Sequence, residues 1–263
     1  MGNIKFKLDT STNEFDEVFF NRPVSRLQAS WVGVVSSKNT SLKSISSIYQ
    51  ILDLLGQNVT LVADQRQMHA TLPADVVLKP KKTPGYTNSD EGIESLRNCK
   101  IIIFLAETEL NSDMELFMNQ LLKVYSGTVI TDSYSVFNEY DFKGDKVLIV
   151  NDKQISSRYQ EGLNHLSALI QSYSLEVECP IVYFGKNQII CINNKNLDTA
   201  CVINTKKVID RNEFVGILAG MMADKKTPVD NGWLKYCQAS GFLLRLLQSD
   251  GLAAVKKYLD SKF

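Results

Sequence analysis

A chain of 263 residues with 44% hydrophobic and 22% charged side chains has enough apolar surface for one large α/β domain. Basic and acidic side chains number 29 each, so the formal net charge is zero and no electrostatic drive toward nucleic acid or an anionic membrane is expected. MGNIKFKLDTST lacks the apolar core of a signal peptide, Phe6 stands where a myristoylation signal needs Ser or Thr, and no apolar run reaches membrane-spanning length.

Residues 1–25 read as a polar lead-in that contains one short strand, Ile4 to Leu8. Trp31 to Val35 is the next strand. A helix follows over Ser41 to Leu55, with Leu42, Ile45, Ile48, Tyr49, Ile51 and Leu52 at helical spacing and Gly56 as its terminator. Val59 to Ala63 is the following strand, and this β-α-β unit implies a right-handed parallel crossover. Asp75 to Leu78 is a short strand, Ile93 to Leu96 a short helix, and Lys100 to Leu105 a buried strand. A helix from Asn111 to Tyr125 leads to the strand Thr128 to Asp132. Lys146 to Val150 is a strand, and Ser157 to Ser172 a helix. Pro180 to Phe184 turns at Gly185-Lys186-Asn187 into Gln188 to Ile192, a hairpin, and two or three helices close the chain. Strands alternating with helices predict one three-layer α/β/α domain over residues 1–263, with a mainly parallel sheet.

The cysteines are Cys99, Cys179, Cys191, Cys201 and Cys237. None forms a C-x-x-C pair and most lie in apolar runs, so they read as reduced, buried thiols of a cytoplasmic protein. No grouping of His, Cys or acidic residues has metal-ligand spacing, and no Walker loop, G-x-G-x-x-G or G-x-S-x-G is present. His69 and His165 lie in different elements and read as structural or surface residues.

Asp210 and Glu213 have the spacing of a helix N-cap and its partner at the third helical position. Asp210 can satisfy the free N–H groups of that helix start, where two carboxylates oppose a phosphate. The helix Asn212 to Met222 is expected to lie against the sheet through Phe214, Ile217, Leu218 and Met221. Gly216 and Gly220 would allow the close approach. Asp132 ends a strand on the side where parallel sheets bind ligands, though an exposed loop aspartate reads equally well. Lys38, Asn39 and Thr40 follow the Trp31 strand and read more simply as a turn.

Val208 to Gly251, and the order of elements from Trp31 to Leu259, resemble the ADP/ATP-dependent NAD(P)H-hydrate dehydratases of the ribokinase-like superfamily. The family's helix after G-[ST]-G-D is matched by Phe214 to Met221, but Ile209-Asp210-Arg211-Asn212 replaces the glycine loop. The family strand V-V-I-G-P-G-L-G becomes Ile101 to Thr108 without glycines. V-L-D-A-D-A-L-N becomes Val129 to Val136, with Asp132 retained after a one-residue shift. T-P-H-P-G-E has no counterpart at Ile149 to Lys153, and L-K-G-x-x-T-x-I becomes Tyr183 to Ile190 with Phe184 for the lysine.

The resemblance implies a ribokinase-like three-layer fold with a C-terminal hairpin and helices. It puts Asn212 at the position of the catalytic Asp, where an amide cannot serve as a general base. It also implies Asp132, Arg211, Asn212 and Lys186 as nucleotide-binding candidates, with ADP or ATP and Mg²⁺ as the ligand if nucleotide binding is retained. With several motifs altered together, the expectation is a degenerate, non-catalytic relative that keeps a nucleotide or a partner. The alternatives are an active dehydratase or small-molecule kinase with an atypical site, and a structural subunit, including a homo-oligomer. No nucleic acid, membrane or bound metal is expected.

Overall fold

Ten strands form one sheet in the computed structural model, which describes residues 5–8, 31–36, 41–62, 77–78, 90–106, 112–138, 142–158, 166–205, 207–223 and 229–262. The strands are β1 (Lys5–Leu8), β2 (Trp31–Ser36), β3 (Asn58–Val62), β4 (Val77–Leu78), β5 (Ile101–Leu105), β6 (Thr128–Thr131), β7 (Lys146–Asn151), β8 (Ile181–Phe184), β9 (Gln188–Asn193) and β10 (Asn196–Asn204). Their order is β1-β10-β9-β8-β7-β6-β5-β2-β3-β4. Only β9 pairs antiparallel with its neighbours, β8 and β10; the other pairings are parallel.

The helices are α1 (Leu42–Leu54), α2 (Asp90–Arg97), α3 (Ser112–Val124), α4 (Ser135–Asn138), α5 (Asp152–Arg158), α6 (Leu166–Glu176), α7 (Arg211–Ala223) and α8 (Val229–Lys262). Helix α8 is broken at Gly251, whose φ of 79° belongs to the left-handed region that favours glycine. No described helix is long and apolar enough to cross a membrane.

Because side chains alternate across a strand, each strand feeds two apolar layers. Val32, Val34, Ile101, Ile103 and Leu105 face α1, α7 and α8. Val35, Ile102, Phe104 and Val129 face α2, α3 and α4, while Leu148, Val150, Ile181 and Ile190 join α5 and α6. The result is the predicted three-layer α/β/α arrangement with a mainly parallel sheet.

Helix α7 is the central helix of its layer. Phe214 to Gly220 are all buried, as are Met222 and Ala223, so the helix is apolar on nearly every face. Phe214 meets Phe184 of β8 edge-on at 5.6 Å. The two glycines do not face the sheet as expected. A Cβ on Gly216 would lie 3.2 Å from Ile51 Cβ, and one on Gly220 would lie 2.4 Å from Leu55 Cδ1. They form the seam with α1. Met222 is also buried at 6% exposure where Met221 was expected, Met221 being only half-buried. At the far end, Lys100 Nζ donates to the Ala223 carbonyl oxygen at 3.1 Å, a cation at a helix C-terminus.

Two further elements differ from the sequence reading. The predicted helix Ser157 to Ser172 is replaced by α5 and α6, with residues 159–165 outside the described part. Asn151 and Gln154 cap α5 reciprocally, so it starts directly after β7. Strand β10 was not anticipated: its polar start, Asn196 to Thr199, masks a pairing that brings Cys201 opposite Cys191.

Candidate functional site

The sheet order reverses at β2. The chain runs outward through β3 and β4 on one side and through β5 to β8 on the other. In open α/β sheets such a switch point leaves a crevice beyond the carboxyl ends of the strands. Ser36 ends β2 fully buried, Ala106 follows β5, and Asp132 follows β6 at 8% exposure. Helices α1 and α7 begin on the same side.

Asp132 is the hub. Its Oδ1 accepts from the Ala106 N–H at 2.7 Å, and its Oδ2 accepts from Arg211 Nη1 at 3.0 Å. The Asp132 side chain is 6% exposed and that of Arg211 26%. Gln154 Nε2 donates to the Asp132 carbonyl oxygen at 2.9 Å. One residue thus joins the ends of β5 and β6 to the starts of α5 and α7. The short bond from the amide is in the range of charge-assisted bonds.

Asp210 caps α7 as the sequence predicts. Its Oδ1 accepts from the Asn212 N–H at 2.8 Å and from the Glu213 N–H at 3.4 Å. These are donors that a bound phosphate at this helix start would need. Burial, and then the neighbouring Asp210, raise the Glu213 carboxyl above its ordinary range, with Lys43 opposing the shift.

Asn212 turns toward α1. Its Nδ2 donates to Ser44 Oγ at 3.0 Å, and Ser44 Oγ lies 2.7 Å from Ser41 Oγ. Ser41 caps α1 by accepting from the Ser44 N–H at 3.0 Å. Asn212 Oδ1 is buried with no hydrogen-bond partner among the described residues. The amide is anchored by its donor, and its neutral acceptor cannot take up a proton near neutral pH.

The structure therefore brings Asp132, Arg211 and Asn212 to one place. Lys186 is exposed in the β8–β9 turn, at the same edge of the sheet but two strand positions from β6, about 10 Å in strand spacing. Lys38, Asn39, Thr40, His69 and His165 lie outside the described residues. Sequence reasoning missed Ser44 and Gln154. The Asn151 to Gln154 spacing, that of a capping box, was a signal for the second; nothing local marks Ser44 as the partner of Asn212. Among the described residues, no group of three His, Cys, Asp or Glu side chains is placed to hold a metal ion.

No family model matches the chain, and no curated protein matches it in sequence. Solved structures match it in fold. A ribokinase-like superfamily protein from Enterococcus faecalis V583 has a TM-score of 0.73 at 12% identity, over 100% of this chain and 99% of that one. The ADP/ATP-dependent NAD(P)H-hydrate dehydratase from Bacillus subtilis, co-crystallized with ATP/Mg²⁺ and soaked with CoA, has a TM-score of 0.66 at 8% identity, over 95% of this chain and 97% of that one. Arabidopsis thaliana ribokinase complexed with ribose and ATP has a TM-score of 0.58 at 12% identity, over 89% and 98% of the two chains. The fold is that of the ribokinase-like proteins, hydrate dehydratases among them; at these identities the likeness speaks to fold and not to activity.

Proposed function

We propose that this chain is a catalytically degenerate, single-domain relative of the NAD(P)H-hydrate dehydratases, whose crevice keeps its position in the fold and has lost its chemistry. The start of α7 carries this reading. There the Asp210 carboxylate accepts from the Asn212 and Glu213 N–H groups, and the residue in the catalytic Asp position is an amide bonded to Ser44.

A dehydratase or kinase of the resembled kind needs two things at this point: open N–H donors for phosphate and a carboxylate that takes a proton. Neither is supported. The donors are engaged by Asp210, and Glu213 adds a second acidic group in the first turn of the helix. A nucleotide phosphate with Mg²⁺ does not fit this helix start, because the residues offer it negative charge in place of free donors. Losing a positioned base costs about 10²–10⁴-fold in rate, and losing preorganised donors about 10²–10³-fold more. A nucleotide could still bind elsewhere along the crevice, and Lys186 in the β8–β9 turn is the residue we assign to that contact. Five buried thiols suit a reducing, cytoplasmic setting.

The Asn212→Asp variant tests the reading. Restoring the carboxylate alone leaves Asp210 and Glu213 at the helix start, so dehydration of hydrated NADH with ATP or ADP and Mg²⁺ stays absent. Robust turnover from this single substitution overturns the reading, because the phosphate seat would then be intact.

A further inference from the structure

We infer that Cys191 and Cys201 are a reversible dithiol–disulfide switch between β9 and β10, with β1 as the strand that guards it. The inference does not depend on the crevice or on its loss of chemistry. Cys201 stands directly opposite Cys191 in the antiparallel ladder, and both are 0% exposed. The Thr205 N–H donates to the Asn187 carbonyl oxygen at 3.0 Å, and the alternation of antiparallel pairs makes Cys201–Cys191 another hydrogen-bonded pair. Such partners have Cα atoms about 5.5 Å apart, within the range that a disulfide spans. Their Cβ atoms are about 4.5–5.5 Å apart, against about 3.8 Å in a disulfide. Closing the bond therefore draws the two residues together by about 1 Å, and a disulfide held under such tension is readily reduced. The packing resists the movement. A Cβ on Gly241 of α8 would lie 2.7 Å from Ile203 Cγ1, so the helix presses on β10 on the same face as Cys201. Opposed thiols in a resisting frame suit a switch better than a permanent staple.

The thiols already interact. Cys201 donates to Cys191, and Cys191 donates to Cys237 of α8, which is also buried. A bond to Cys237 would have to reach from helix to sheet, whereas the strand pair has the backbone spacing in place. Burial holds the Cys191 and Cys237 thiols above their ordinary range, so reaction waits on local opening. On its outer side β10 meets β1, the last strand of the sheet, whose residues Lys5–Leu8 pair with Thr199 to Val202 and place Lys7 opposite Cys201. So short an edge pairing opens more readily than the core strands. When β1 parts, Cys201 lies on the sheet edge. Its thiolate then attacks a low-molecular-weight disulfide and expels one thiolate, and the Cys191 thiolate displaces the second from the mixed disulfide. The two protein thiols lose two electrons and two protons, and the reagent disulfide takes them up and leaves as two thiols.

The test equilibrates the full chain with reduced and oxidised glutathione, quenches with acid, alkylates in guanidinium and maps the peptides by mass spectrometry. One bridge, Cys191 to Cys201, is expected, with Cys99, Cys179 and Cys237 alkylated, and excess reduced glutathione reverses it. Cys237→Ala is expected to keep the bridge, and Cys201→Ala to leave Cys191 reduced. The wild-type map is decisive by itself should either variant fail to fold. Lys7→Pro, which breaks the β1 ladder, is expected to speed bridging by about tenfold or more with the same map. A bridge that includes Cys237 in the wild type, glutathione adducts without a bridge, or an equilibrium no more oxidised than that of the guanidinium-unfolded chain overturns the switch. Bridging of Lys7→Pro at the wild-type rate overturns β1 as its guard.

Discussion

Helix α7 meets α1 through Gly216 and Gly220, and the two glycines should respond differently to added bulk. A Cβ at Gly216 would lie 3.2 Å from both Ile51 Cβ and Ile51 Cγ2, and 3.4 Å from the Ile48 carbonyl oxygen. Those atoms are tied to the α1 backbone, so relief requires the helices to separate. A Cβ at Gly220 would lie only 2.4 Å from Leu55 Cδ1, but 3.5 Å from Leu55 Cβ and Cγ. There a terminal methyl can swing aside, at a cost of about 0.5–1.5 kcal/mol if it leaves its rotamer. Replacing glycine inside a helix returns about 0.8–1 kcal/mol of propensity. Gly220→Ala is therefore near neutral. Leucine adds three more carbons to a closed seam, where overpacking costs about 1–3 kcal/mol or more. The net expectation is about 2 kcal/mol of destabilisation for Gly216→Leu and about 1 kcal/mol for Gly220→Leu. In a domain of this size about 2 kcal/mol lowers the melting temperature by roughly 4–8 °C. Lys256→Leu on the exposed face of α8 is the control, expected within about 0.5 kcal/mol of wild type. Urea and thermal unfolding of the four variants supply the order. A Gly216→Leu variant as stable as the control, or more stable than Gly220→Leu, refutes the α1–α7 seam.

Glu213 has a carboxyl raised above its ordinary value of 4.5, so its ionised form opposes folding at neutral pH. Its contribution is fully favourable below the unfolded value and is lost as pH rises through the raised folded value. Glu213→Gln should therefore stabilise the protein at pH 7, with the gain disappearing below about pH 4.5; a gain that persists in acid contradicts this. The five cysteines are buried, and burial pushes the Cys99 thiol up to about 11 and the Cys179 thiol up to about 12. A thiol reagent at pH 8 should label none of the five quickly in the native protein and all of them in guanidinium. Fast labelling of the native chain would show that the thiol environments are wrong. Arg211→Ala should cost about 1.5–3 kcal/mol, the range for losing a hydrogen bond to a charged group, because Asp132 then keeps a buried charge without that partner; a silent substitution in chemical unfolding argues that the ion pair is not formed in solution.

The layer architecture was legible because buried parallel strands such as Ile101 to Leu105 are unbroken apolar runs and helices such as α1 carry a clear 3.6-residue pattern. Helix α7 escaped a correct orientation because it is apolar almost all round, and periodicity then cannot say which face meets sheet and which meets helix. Strand β10 escaped because its polar first half reads as loop. In the site, Asp132 and the Asp210 cap followed from position and local spacing. The bonds Asn212 to Ser44 and Arg211 to Asp132 join residues 168 and 79 positions apart, and no local pattern encodes such pairings.

Turnover by the unmodified chain tests the central claim most directly. Hydrated NADH is supplied with Mg²⁺ and either ATP or ADP, and regenerated NADH is followed by its absorbance beside an intact hydrate dehydratase at equal concentration. An amide at position 212 and a helix start closed by Asp210 predict a rate lower by about 10⁴-fold or more, combining the losses of base and donors. A rate within tenfold of the intact enzyme would contradict the account, since the crevice would then hold a working base and phosphate seat despite Asn212 and Asp210.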